Sequence, residues 1–153
     1  MAKVLFIDDV NAVCENVKER LEPYHEVITI QKRRWDDACD EAGKILGISE
    51  DNAFDALVLD LHYDSQHEDA RQGDFGGIWI YNELVRLGLR ARWTDTIIYS
   101  RLVPPNWNAA STGKELAIRV FLNTADIPYD CAVLNTLMGV DNLIDKIAEL
   151  VAP

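Results

Sequence analysis

Short apolar blocks alternate along this chain with longer segments in which apolar residues recur at every third or fourth position. The blocks predict strands and the longer segments helices, because side chains repeat every second residue along a strand and every 3.6 along a helix. Lys3 to Asp8 forms the first block, followed by a helix carrying Val13, Val17 and Leu21 at four-residue steps and stopped at Glu22-Pro23. Glu26 to Ile30 reads as a second strand. Trp35 to Leu46 is acidic, Ala-rich and helical and ends at Gly47, after which Ala53 to Asp60 is the third and most apolar strand. Gly76-Gly77 opens a helix with Ile80, Leu84 and Leu87 on one face, and Thr94 to Ser100 is a fourth strand. A turn with Pro104-Pro105 leads into a helix from Ser111 to Thr124, and Cys131 to Leu134 is a short fifth strand. Leu143, Ile147 and Leu150 make the buried stripe of a last helix, Val140 to Val151.

Strict alternation of five strands with five helices implies right-handed crossovers and an α/β fold, a doubly wound parallel sheet covered on both faces. No internal repeat or linker interrupts it, so residues 1–153 are expected to form a single domain with no output domain. The interval from His62 to Phe75 breaks the rhythm. It holds Asp64, Ser65, Gln66, His67, Glu68, Asp69, Arg71, Gln72, Gly73 and Asp74, almost nothing to bury, and is expected to be a polar loop.

Composition narrows the range of functions. With 48% hydrophobic residues the chain can bury roughly two thirds of its unfolded surface in one core. A formal net charge of -11 argues against nucleic acid and against an anionic membrane surface, since both need clustered Lys and Arg. The one basic cluster, Lys32-Arg33-Arg34, reads as a solvated loop or helix start. No apolar run approaches the ~20 residues of a membrane span, and a first strand starting at Lys3 leaves no room for a signal peptide, so a cytoplasmic protein is expected. Cys14, Cys39 and Cys131 are odd in number and lack CxxC spacing, which predicts reduced thiols packed as small apolar groups. Trp35, Trp79, Trp93 and Trp107 read as packing groups or surface anchors.

The candidate chemistry lies where two apolar runs end in acid. Val4-Leu5-Phe6-Ile7 runs into Asp8-Asp9, and Ala56-Leu57-Val58-Leu59 runs into Asp60. As central parallel strands they would bring three carboxylates together at their carboxyl ends, where open α/β sheets bind ligands. Carboxylates that close raise one another's pKa unless a cation lies between them, and a divalent ion with oxygen ligands is the usual resolution. Taken alone, an Asp-Asp after a strand is often a helix N-cap, Asp60 a capping acid, and Ser100 a hydroxyl bonded to backbone. The match between the two strand ends favours an acidic, magnesium-type pocket.

These residues resemble the receiver domains of two-component response regulators. The likeness rests on Val4-Leu5-Phe6-Ile7-Asp8-Asp9, Leu57-Val58-Leu59-Asp60, Ile97-Ile98-Tyr99-Ser100 and the ending of strand, loop and helix. It implies a flavodoxin-like sheet of strand order 2-1-3-4-5. It also implies that Asp60 accepts a phosphoryl group from a histidine kinase or phosphotransfer protein, with Mg2+ as cofactor. In that reading Asp9 is a direct metal ligand, Asp8 a ligand through water and the His62 backbone carbonyl the third protein contact. Ser100 bonds the phosphoryl group, and a protein effector takes the output.

The departures are as informative. The family's lysine at the end of strand five is replaced, in Ala132-Val133-Leu134-Asn135-Thr136-Leu137, by Asn135 or Thr136, and its aromatic switch residue by Ala132 or Val133. A neutral donor makes a contact about half as strong as a charge-assisted one. Tyr63-Asp64 stands in place of the usual Met-Pro, and the loop before Gly76 is enlarged, placed to cover the pocket or to meet a partner. Two readings therefore stand side by side: a phosphoaccepting receiver, which is no turnover enzyme, and a pseudo-receiver that binds protein without phosphate-dependent switching. A haloacid dehalogenase type phosphatase wants a second acid two residues after the nucleophile, where this chain has His62.

Overall fold

A computed structural model of the chain describes residues 1–63, 75–109, 112–136 and 140–152. The elements are β1 Lys3–Asp8, α1 Asn11–Leu21, β2 Glu26–Gln31, α2 Trp35–Gly47, β3 Phe54–Leu59, α3 Gly76–Arg86, β4 Trp93–Ser100, α4 Gly113–Thr124, β5 Ala132–Leu134 and α5 Asp141–Val151. Among the described residues five strands and five α-helices alternate, as the apolar rhythm predicts. Every strand pairing is parallel and the order is β2-β1-β3-β4-β5. Most of the polar loop, residues 64–74, lies outside the described residues, and so does its expected role over the pocket.

Alternation along the central strands separates two cores. Leu5 and Ile7 of β1, with Leu57 and Leu59 of β3, face a core completed by Ala38, Cys39, Ala42 and Leu46 of α2, Ile80 and Leu84 of α3, and Ile118 and Leu122 of α4. Val4 and Phe6, with Ala56 and Val58, face the opposite core, closed by Cys14, Val17 and Leu21 of α1 and Leu143 and Ile147 of α5. Both faces of β1 and β3 are buried, which is why these strands read as unbroken apolar runs. Burying a Leu or Val side chain stabilises by roughly 1.5–3 kcal/mol, so the central strands are the most firmly held part of the molecule.

Local signals account for most boundaries. Thr112 caps α4, its side chain accepting from Glu115 N while the Glu115 carboxylate accepts from Thr112 N, a reciprocal pair that satisfies two otherwise orphaned amides. Helix α2 ends at Gly47, as expected, with Ile48 in the C-cap position, and the turn into β3 has Asn52 at a φ of 56°. The basic cluster is spent on ion pairs at the start of α2, Lys32 with Glu41 and Arg34 with Asp36. Its position fits the helix start expected of it.

The three cysteines are free and buried. Trp93 is buried and donates to Thr96 Oγ1 at 2.8 Å, Trp35 meets Trp79 edge to face at 5.2 Å, and Trp107 stacks on Tyr129 at 5.3 Å. The tryptophans thus serve packing and surface anchoring. No helix among the described residues is long and apolar enough to cross a membrane.

Candidate functional site

Strand register brings the acids together. Ile7 pairs with Leu59, so Asp8, the last residue of β1, and Asp60, the first beyond β3, stand side by side at the carboxyl edge, and Asp60 N donates to Ile7 O at 3.1 Å. Carboxylate oxygens of Asp8, Asp9 and Asp60 all lie within 4.8 Å of one another. β4 carries Ser100 to the same end of the sheet, and there Asp8, Asp9, Val10, Val13, Asp60, His62, Ser100, Arg101, Leu102 and Asn135 line a cavity of about 410 Å³.

The helix-cap alternative for Asp8 and Asp9 does not match the geometry. Val10 is the N-cap of α1 and α1 has no side-chain cap bond. Asp8 Oδ1 accepts from Val10 N at 2.9 Å, which orients the carboxylate, while Asp8 Oδ2 is buried and has no partner among the described residues. A buried acceptor without a donor costs free energy comparable to a lost hydrogen bond. Asp60 Oδ1 is held by Leu61 N at 2.7 Å and His62 N at 3.4 Å. Ser100 Oγ in turn accepts from Leu102 N at 3.2 Å, which fixes the hydroxyl at the strand end.

Electrostatics follow from this crowding. Burial, then the nearby Asp60 charge, push the Asp8 carboxyl far above the ordinary carboxylate range. Asp60 is raised chiefly by burial, with Asp9 adding to the rise and the Ser100 hydroxyl bonded to it working against it. Without a cation, Asp8 and Asp60 are therefore biased toward their protonated forms. Burial also pushes the Cys14 thiol, which lies 3.9 Å from Asp8 O, up to about 12, so Cys14 is a packing group and no nucleophile.

The cluster suits a hard divalent ion. All three donors are oxygens, one of them buried and unpartnered, and the mutual repulsion is of the kind that a cation removes. The three oxygens lie within 4.8 Å of one another, close enough that one such ion would offset the charge of all three.

Asn135 and Thr136 both stand near the position of the family's lysine, and the fold separates them. Ser100 pairs with Leu134, the last residue of β5, and Asn135 N donates to Ser100 O at 3.1 Å. Asn135 is buried and lines the cavity, whereas Thr136 is exposed and is not among the lining residues. Counting three back from Asn135, the aromatic position is Ala132. His62 is exposed at the cavity rim.

The tertiary structure gives two further residues a place at the site. Tyr63, which replaces the expected Met, is wholly buried with its hydroxyl unpartnered among the described residues, and burial raises its pKa. Arg101 lines the cavity directly after Ser100, and only that adjacency in the sequence signals it.

No protein-family model and no curated protein matches this chain. Solved structures do. Response regulator TrrA from Thermotoga maritima, in complex with Mg2+-BeF, is 19% identical with a TM-score of 0.61 over 99% of this chain and 100% of that one. The non-phosphorylated HemR receiver domain from Leptospira biflexa is 15% identical with a TM-score of 0.62, covering 100% of this chain and 96% of that one. Chemotaxis protein CheY4 from Vibrio cholerae is 16% identical with a TM-score of 0.61 and 99% coverage of both chains. Likeness at these identities is likeness of fold, and the fold is similar to that of these receiver domains.

Proposed function

We propose that this chain is a signalling receiver that accepts a phosphoryl group on Asp60 in the presence of Mg2+ and passes the change to a protein partner. The observation that carries the reading is the convergence of the Asp8, Asp9 and Asp60 oxygens beside Ser100 in one cavity. Asp9, Asp60 and the His62 carbonyl would hold the ion directly and Asp8 through water. When bound, the ion offsets the negative charge shared by acceptor and incoming phosphoryl group, which makes the transfer mainly a matter of positioning. TrrA, similar in fold, is known in complex with Mg2+-BeF.

Each residue then has a defined task. An Asp60 carboxylate oxygen attacks phosphorus, and the P–N bond to a phosphohistidine donor breaks. The electron pair leaves on the imidazole nitrogen, which takes up a proton from solvent. The donor is a histidine kinase or phosphotransfer protein. Leu61 N and His62 N hold Asp60 Oδ1, so the carboxylate is oriented before the donor arrives. Ser100 Oγ, fixed by Leu102 N, can turn its proton from Asp60 to a phosphoryl oxygen, giving a contact that exists in one state only.

Incubation with acetyl phosphate and Mg2+, followed by intact-mass analysis, tests the reading. Wild type should gain one phosphoryl mass that Asp60→Asn does not. No adduct on wild type, or an adduct that survives Asp60→Asn, overturns it. The pseudo-receiver reading draws on the neutral Asn135 at the end of β5 and on Ala132 at the aromatic position, and it predicts no adduct.

A further inference from the structure

We infer that Arg101 supplies the phosphoryl-binding cation of this site, entering from the end of β4 in place of the lysine missing from the end of β5. The inference rests on the proposed acceptance of a phosphoryl group at Asp60. A doubly charged phosphoryl group added beside three carboxylates calls for more positive charge than one divalent ion brings. Among the described residues lining the cavity, Arg101 is the single Lys or Arg.

Register explains why the exchange is possible. Ser100 pairs with Leu134 as the last pair of β4 and β5, and Arg101 and Asn135 are the residues that directly follow these two strand ends. Adjacent strands lie about 4.8 Å apart, and a long side chain rooted on either one reaches the same space above the cavity. Asn135 N is tied to Ser100 O, which keeps the two strand ends together up to this point. The Ser100 carbonyl also accepts from Val103 N at 3.3 Å, closing a tight turn in which Arg101 is the first residue after the strand.

The present state of the side chain agrees. Arg101 is exposed and makes no ion pair or hydrogen bond with any other described residue, although it borders a cavity containing three acids. A guanidinium that borders an acidic cavity without closing on the carboxylates leaves room for a tetrahedral anion between them. Its planar fork suits phosphoryl oxygens, which it can bind in pairs. The neutral Asn135 also leaves that space free of a competing fixed cation. The missing lysine is thus a relocated charge, and Ser100 and Arg101, adjacent in sequence, grip the phosphoryl group together.

Beryllofluoride, which mimics the phosphoryl group, provides the test by calorimetric titration at saturating Mg2+. Wild type binds it, Arg101→Gln weakens binding by about tenfold or more, Arg101→Lys keeps most of the affinity, and adding Asn135→Lys to Arg101→Gln restores it. The first and last results separate loss of a cation from loss of a structural contact. Wild-type binding that Arg101→Gln leaves unaltered overturns the role of Arg101 while the receiver reading stands. No Mg2+-dependent binding by wild type overturns both. Arg101 is exposed, and a cooperative melting transition shows each variant to be folded.

Discussion

Gly77 at the start of α3 lies directly against the Asp60 backbone: a Cβ built on Gly77 would fall 2.0 Å from Asp60 O and 2.8 Å from Leu61 Cα. The two backbones are joined there by Gly77 N donating to Leu61 O at 2.9 Å. A helix start is thereby pressed onto the strand end that presents Asp60, and only a residue without a side chain permits the approach.

Gly77→Ala should therefore act on both stability and site. The clash is with backbone and cannot be relieved by a rotamer change, so a loss of roughly 1–3 kcal/mol in denaturant unfolding is expected. The variant should also lose most of its Mg2+-induced rise in melting temperature, because Asp60 has to move. Retention of wild-type stability and of the Mg2+ response would show that the helix start shifts freely.

Asp60→Asn should separate repulsion from metal binding. Asparagine keeps an oxygen to accept from Leu61 N and removes a buried charge whose pKa burial has raised. The metal-free variant should gain roughly 1 kcal/mol near neutral pH and should no longer be stabilised by millimolar Mg2+. Thermal melts of both proteins with and without the ion decide it. Equal Mg2+ responses in the two would exclude this metal site.

A pH dependence follows with a definite sign. Asp8 and Asp60 both have folded pKa values above the ordinary 3.8. Their contribution to the stability of the metal-free protein is complete below the unfolded value and is lost as pH rises through the raised folded values. The proposed Mg2+ site requires the deprotonated cluster, so the melting-temperature gain from Mg2+ should grow from about pH 5 to about pH 8. A gain that is flat or falls over this range would mean that these carboxylates do not take up the ion.

Tyr63→Phe tests the buried hydroxyl. Tyr63 is fully buried with no hydrogen-bond partner among the described residues. Removing an unsatisfied group spares its desolvation, so stability should be unchanged or rise by up to about 1 kcal/mol. A loss of stability on chemical denaturation would show that the hydroxyl is bonded.

Much of this was legible in the sequence, for a physical reason. Strands buried on both faces must be almost wholly apolar and helices covering one face must be amphipathic, so the β/α rhythm was visible to within about two residues at most boundaries. The acids at two strand ends were equally visible, because any carboxylate following such a run is delivered to the carboxyl edge of the sheet. Which of Asn135 and Thr136 meets the cavity was not. That choice depends on the pairing of Ser100 with Leu134, 34 residues later, and parallel register is set by packing between elements rather than by local pattern. The contact of Gly77 with Asp60, the burial of Tyr63 and the neighbouring positions of Arg101 and Asn135 have the same origin. Periodicity along the chain determined the strands, the helices and the edge that carries the acids. Only packing across the sheet decided which side chains share the cavity there, because those distances are set between segments remote in sequence.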